Sequence, residues 1–160
     1  MKHIPIRFLS LFLLLCTLVC IPFAASASSG LTQEEHTLLN LLNEDRARYG
    51  LTPLILDEEL SRIARIKSQD MVTNRYFAHQ SPTYGNVRSM LSSFGVSYLS
   101  AGENIARSRS VHHSNAAFLS SAGHRRNMLS NSFTHVGIGV ITDANGFVTV
   151  TEIFVRRQQS

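Results

Sequence analysis

Apolar and polar residues recur along this chain with two different periods. From Leu38 the period is helical: Leu38, Leu39, Leu42, Arg46 and Tyr49 return at three- and four-residue spacing. In front of them, Thr32-Gln33-Glu34-Glu35 reads as a capping box, threonine at the cap and glutamate three residues on. Gly50 ends that helix and Pro53 keeps it from resuming. Asp57 can cap a second helix with Leu60, Ile63, Ala64 and Met71 on one face. Ser81-Pro82 and Tyr84-Gly85 mark a loop. A short helix is predicted from about Val87 to Phe94, before Gly95, and another from Ser110 to about Ser121, stopping near Gly123. After that the period falls to two. Val136, Ile138 and Val140 alternate with Gly137 and Gly139, Asp143 to Gly146 form a turn, and Phe147 to Val155 supply a β-branched, aromatic partner strand. Helices first and an antiparallel hairpin last predict an α+β domain with helices packed on an antiparallel sheet.

The N-terminus follows neither pattern. Lys2 and Arg7 precede an apolar run from Phe8 to Ile21, broken only by Ser10 and Thr17, and Ala25-Ser26-Ala27 follows. A basic start, a short apolar core and a small-x-small site are the parts of a secretory signal. A helical run of that length spans about 21 Å, short of the roughly 30 Å of bilayer hydrocarbon. Residues 1–27 are therefore expected to be a signal peptide, with Ser28 the first residue of a single domain over 28–160 and no transmembrane anchor left after cleavage. The expected location is secreted, extracellular or in the cell envelope.

Export changes the composition. Both cysteines, Cys16 and Cys20, lie in the signal, so disulfides, thiolate metal sites and cysteine nucleophiles are excluded from the domain. The whole chain carries a net charge of +4, and losing Lys2 and Arg7 leaves +2. That balance suits an anionic wall or membrane surface and does not point to nucleic acid. Lys67 is the sole lysine remaining. At this size a core alone can hold the fold, and a monomer is expected.

Common catalytic signatures are missing: there is no His-Glu-x-x-His, no Gly-x-Ser-x-Gly elbow and no phosphate-binding loop with lysine. Gly137-Ile138-Gly139 reads as close backbone packing in a sheet. Three polar islands in apolar surroundings remain. In Tyr76 to Pro82, His79 follows aromatics and precedes a rigid turn. In Ala101 to Ala106, Glu103 is the only acidic residue between Asp70 and Asp143. In Phe118 to Leu129, His124 starts a turn rich in donors. Two have a plain alternative: a packed or surface histidine for His79, an N-cap or a structural ion pair for Glu103.

Asn43-Glu44-Asp45-Arg46, Tyr76 to Pro82, Gly102 to Ala106, Ser120 to Leu129 and Phe133-Thr134-His135-Val136-Gly137-Ile138-Gly139 together resemble the CAP superfamily of cysteine-rich secretory, antigen 5 and pathogenesis-related 1 proteins. Compact bacterial members are the nearest in kind. The five motifs fall in register over nearly all of the domain. The resemblance implies a three-layer α-β-α sandwich around a central antiparallel sheet. It also implies a cleft lined by two histidines and two acidic residues. Carried over, these are His79, Glu103 and His124, with Ser121 where the second glutamate would stand. Phe118 stands where the family usually has tryptophan.

Two imidazoles and a carboxylate suit Zn²⁺ with water in the fourth position, so His79, Glu103 and His124 are the candidate metal ligands. If the protein is an enzyme, they are also its candidate catalytic residues, in a metal-dependent hydrolase of wall peptide or glycan. The other readings are a cleft that binds a ligand, and a module for lipid or an anionic polymer without chemistry. Ser121, Asn104 and Asn127 are expected to line the cleft, the two asparagines mainly tying loops to the backbone. Ser81 is better explained by its Ser-Pro turn than as a nucleophile. Asn43 and Arg46 are expected to hold the first helix against a loop, His112-His113 to be exposed, and His135 to be half-buried.

Overall fold

The computed structural model describes residues 30–157. The predicted signal peptide and its cleavage site lie outside the described residues.

The elements run α1 (Gln33–Arg48), β1 (Ile55–Leu56), α2 (Glu58–Thr73), α3 (Val87–Ser93), β2 (Ser100–Ser108), α4 (Val111–Ser120), α5 (Ala122–Met128), β3 (His135–Thr142) and β4 (Val148–Arg156). The capping box of α1 forms as expected, Thr32 and Glu35 each accepting from the other's backbone N–H. Asp57 caps α2 by accepting from Leu60 N at 3.0 Å. Tyr49 is the C-cap of α1 and points to solvent rather than continuing the apolar face.

The sheet order is β1-β3-β4-β2. β2, β4 and β3 are antiparallel, and the two-residue β1 adds a parallel edge beside β3. Alternation along the strands sorts side chains to two faces. Val136, Ile138, Val140, Val150 and Phe154 pack with Leu38 and Leu42 of α1, Val111 and Phe118 of α4, and Met128 of α5. Ile153 and Val155 pack on the other face with Leu60, Ile63 and Ala64 of α2 and Met90 and Leu91 of α3. The result is the α-β-α sandwich, helices on both sides of one sheet. Each fully buried Leu or Ile contributes roughly 1.5–3 kcal/mol.

Gly137 and Gly139 allow the closest contact between layers. A Cβ on Gly137 would stand 2.2 Å from the Leu60 carbonyl carbon, and one on Gly139 2.2 Å from the Ala64 carbonyl carbon. The α2 backbone therefore lies directly on β3, as their glycine alternation suggested.

Two expectations change. Ala101 to Ala106, read only as a polar island, lies within a nine-residue edge strand, Ser100–Ser108. The helix expected from Ser110 to about Ser121 does end there, but a second helix, α5, follows at once from Ala122 in place of the expected turn. His124 thus sits on a helix and not in a turn. Ser121 is extended (ψ 122°), which permits the sharp change of direction.

Three helices end the same way. After α1, α2 and α3 the chain closes with paired 6→1 and 5→2 hydrogen bonds around one left-handed residue. That residue is Gly50 (φ 69°) after α1 and Gly95 (φ 72°) after α3. After α2 it is Arg75 (φ 54°), the only non-glycine with positive φ among the described residues. A side chain there costs roughly 1–2 kcal/mol.

Candidate functional site

The site forms over the outer edge of β2, where the two helical layers meet around the strand. Glu103 lies on the α2 face of β2, opposite Ile153 of β4. Its side chain is 3% exposed, and its Oε1 accepts from His79 Nδ1 at 2.7 Å. His79 comes from the loop after α2 and is itself exposed. Its Nδ1 is committed to Glu103, so in the neutral ring the lone pair is on Nε2, facing away from the carboxylate. Glu103 Oε2 is buried without a partner. Burial pushes the Glu103 carboxyl above its ordinary range, opposed by the His79 hydrogen bond and the Lys67 charge.

His124 reaches the same place from α5, on the other side of the sheet. Its ring meets Phe118 edge-on with centroids 5.1 Å apart. Burial, then the charge of His79, lowers its pKa below 6.5, so it is neutral at neutral pH. The structure thus joins His79 and Glu103 directly and sets His124, on α5, near enough to His79 for its charge to be felt. Asn127 donates to Glu103 O at 3.1 Å and to Asn104 Oδ1 at 2.9 Å, and Asn104 donates to His124 O at 3.3 Å. The two asparagines tie α5 to β2. Asn104 is fully buried, behind the cleft rather than on its wall. Ser121 lies half-buried at the start of α5 and makes no side-chain cap there.

Beneath the His79 loop is a polar cluster whose role the sequence reading missed. Lys67 is 1% exposed, yet its Nζ donates to the carbonyls of Ala78 (2.8 Å) and His79 (3.2 Å) and to Tyr76 Oη (3.2 Å). Burial lowers its pKa, against the pull of Glu103 and Asp70. Asp70 accepts from Asn74, Tyr76, Ser81 and Thr83. Burial raises the Asp70 pKa, but these four donors together hold it below the usual range. Ser81 Oγ also accepts from the backbone N–H of Thr83 and Tyr84. It is therefore a turn anchor, as the Ser-Pro reading expected. The signal for Lys67 was in the α2 pattern: it follows Ile63 and Ala64 at i+4 and i+3 on the buried face.

Glu152 was missed as well. It alternates inward with Val150 and Phe154, is fully buried, and accepts from Asn104 Nδ2 at 3.0 Å. Burial pushes its carboxyl up to about 8, against the Asn104 hydrogen bond. Asn43 and Arg46 act as expected. Asn43 exchanges hydrogen bonds with the Leu54 backbone, and Arg46 donates to the carbonyls of Thr52, Met128 and Ser130. His112 and His113 are exposed and His135 is half-buried.

The donor set does not close around a zinc ion. Among the described residues no three His, Cys, Asp or Glu side chains assemble into a group able to hold a metal ion. The geometry gives a reason. A cation on His79 Nε2 would lie across the ring from Nδ1, and so across from the Glu103 oxygen bonded there. The residues suit two imidazoles with a carboxylate behind one of them, rather than three ligands around one ion.

A three-layer sandwich with two histidines and a buried glutamate over an edge strand is the arrangement of the CAP domain. Residues 39–155 match the cysteine-rich secretory protein family (CAP), and the chain belongs to that family. It is 47% identical over 117 residues to the uncharacterized protein YkwD of Bacillus subtilis (strain 168), covering 72% of this chain and 46% of that one. It is 38% identical over 111 residues to the uncharacterized membrane protein YlbC of the same organism, covering 68% of this chain and 32% of that protein. The chain thus spans less than half the length of these relatives. Among solved structures, an extracellular SCP-domain protein of Bacillus anthracis superposes with a TM-score of 0.72 at 32% identity, over 80% of this chain and 45% of the other. No helix among the described residues is long and apolar enough to cross a membrane.

Proposed function

We propose that this is an exported binding protein whose cleft over β2 captures a wall peptide or glycan through its amide or hydroxyl donors, without turning it over. The observation that carries this is Glu103: a buried carboxylate with one oxygen on His79 and the other unmatched. A buried polar atom without a partner is costly, and a ligand N–H or O–H would satisfy it. The neutral His124 ring and His79 Nε2 supply further polar contacts on the open side. Export rests on the basic, apolar and small-residue segments of residues 1–27, and the extracellular B. anthracis relative is consistent with it. Ser121 in place of a second acidic residue favours binding over chemistry.

The test is co-sedimentation with purified peptidoglycan stripped of anionic polymers, with release of soluble fragments followed in parallel. Wild type should sediment, and His79→Ala, Glu103→Gln and His124→Ala should each sediment less, with no fragments released. Sedimentation unaffected by all three variants overturns the reading. Zn²⁺-dependent release that His124→Ala abolishes would replace it with the hydrolase.

A second reading adds a divalent cation on His79 Nε2 and His124, with Glu103 orienting the first ring. The Nδ1–carboxylate bond favours it, because that contact fixes the tautomer a ligating histidine needs. Calorimetry with Zn²⁺ tests it. Affinity should fall as pH drops through about 6.5 and as either histidine is removed.

A further inference from the structure

A groove of about 530 Å³ opens between the end of α2 and the β3–β4 turn, away from the histidine cleft. Arg75, Phe77, Arg107, Asp143, Asn145 and Thr149 line it. Two helix ends with the same hydrogen bonds use glycine at the left-handed position, but here Arg75 holds it and lines the groove. Among the described residues its guanidinium has no acidic partner. Arg107 is fixed in place: its Nη2 donates to Asp143 Oδ2 at 2.6 Å and its guanidinium lies 5.3 Å from the Phe147 ring centre. Asp143 balances that charge, so Arg75 is the one uncompensated cation among the lining residues, while Arg109 lies at the rim, stacked over Phe147 and donating to Asn145 O at 3.4 Å. Phe77 stands beside it, 51% exposed. Asn145 and Thr149 add neutral hydrogen-bonding groups.

We infer that this groove is a second ligand site, for a phosphodiester carried on a sugar or polyol chain. One free guanidinium matches the single negative charge of a diester, and its fork matches two oxyanion oxygens. Asn145, Thr149 and Asp143 suit hydroxyl groups, and the Phe77 face suits the C–H side of a polyol or sugar. The occupant assigned to the groove is an anionic polyol-phosphate polymer. None of its lining residues is His79, Glu103 or His124, though Tyr76 and Phe77 belong to the His79 loop.

The probe is a short glycerol-phosphate oligomer, followed by calorimetry and by amide shifts of residues 72–77 and 143–149. Wild type should bind it saturably, and glycerol alone should not bind. Arg75→Gly should weaken binding about tenfold or more and at the same time raise the melting temperature, since it restores the residue that the backbone favours there. Arg107→Ala should weaken binding too, and His124→Ala should leave it unchanged. The inference falls if wild type shows no saturable binding, if Arg75→Gly binds as wild type does, or if phosphatidylglycerol vesicles bind while the oligomer does not. Loss of binding in Arg75→Gly with a lowered melting temperature also overturns it, because the arginine would then be holding the fold.

Discussion

Asn104 Nδ2 donates to Glu152 Oε2 at 3.0 Å between neighbouring strands, and both side chains are fully buried. Glu152 Oε1 has no partner. Its carboxyl, pushed up to about 8 by burial, binds a proton in the fold that the unfolded chain releases near 4.5. Between those values the folded state binds more protons, so stability falls as pH rises, by up to about 1.4 kcal/mol per unit from this one group. Glu152→Gln can accept the same Asn104 hydrogen bond without that dependence. Denaturant unfolding at pH 5, 6.5 and 8 should show the variant gaining on wild type as pH rises. Parallel pH curves would exclude a protonated Glu152.

Lys67 should matter more than an ordinary lysine. Lys67→Met keeps the apolar stem but removes the hydrogen bonds to the part-buried Ala78 and His79 carbonyls, at about 1–3 kcal/mol for the pair. It also removes a charge that lowers the Glu103 pKa. The variant should unfold at lower denaturant, and carboxyl NMR should show Glu103 titrating higher than in wild type.

Glu35 behaves in the opposite sense to Glu152. It is buried, which raises its pKa, but Arg65 and the N–H groups of Thr32 and Val140 outweigh burial and bring it below 4.5. Its contribution is present above 4.5 and is lost as pH falls through the depressed folded value. Glu35→Gln should destabilise the protein at pH 7, and the gap to wild type should close in acid melts below about pH 4.

Gly137→Ala tests the layer contact. A methyl 2.2 Å from the α2 backbone has no flexible side chain to displace, so α2 must lift from β3. A loss of about 3 kcal/mol or more, or no soluble protein, is expected. A variant that melts with wild type would mean the layers are looser than described.

His124 should titrate below 6.5, since burial and the neighbouring His79 both disfavour its charge. Ring-proton NMR against pH measures it directly. In His79→Ala the midpoint should rise, because one of the two causes is removed.

Periodicity made most of this fold legible. The α1 and α2 faces, the caps Thr32 and Asp57 and the β3–β4 hairpin follow from spacing and turn chemistry alone. β2 was not legible. Ser100-Ala101-Gly102-Glu103-Asn104 puts small or polar residues on both faces, because the site and the Asn104–Glu152 pair occupy the places where apolar residues would mark a strand. The end of α4 was legible, but α5 was hidden because a short helix of Gly, His, Arg and Asn lacks an apolar stripe. For the site, the isolation of Glu103 in an acid-free stretch was the visible signal, and family motifs supplied the histidines. The Arg65–Glu35 pair and the Asp70 cluster depend on distances between layers, which no local spacing encodes.

The two histidines approach the β2 edge from opposite layers, His79 from the α2 side and His124 from α5. A ligand held by both would therefore act as a staple across the sandwich, resisting separation of α2 from α5, between which the sheet lies. Binding would then appear far from the cleft, as slower amide exchange along both α2 and α5 at once and a melting temperature that climbs with ligand concentration.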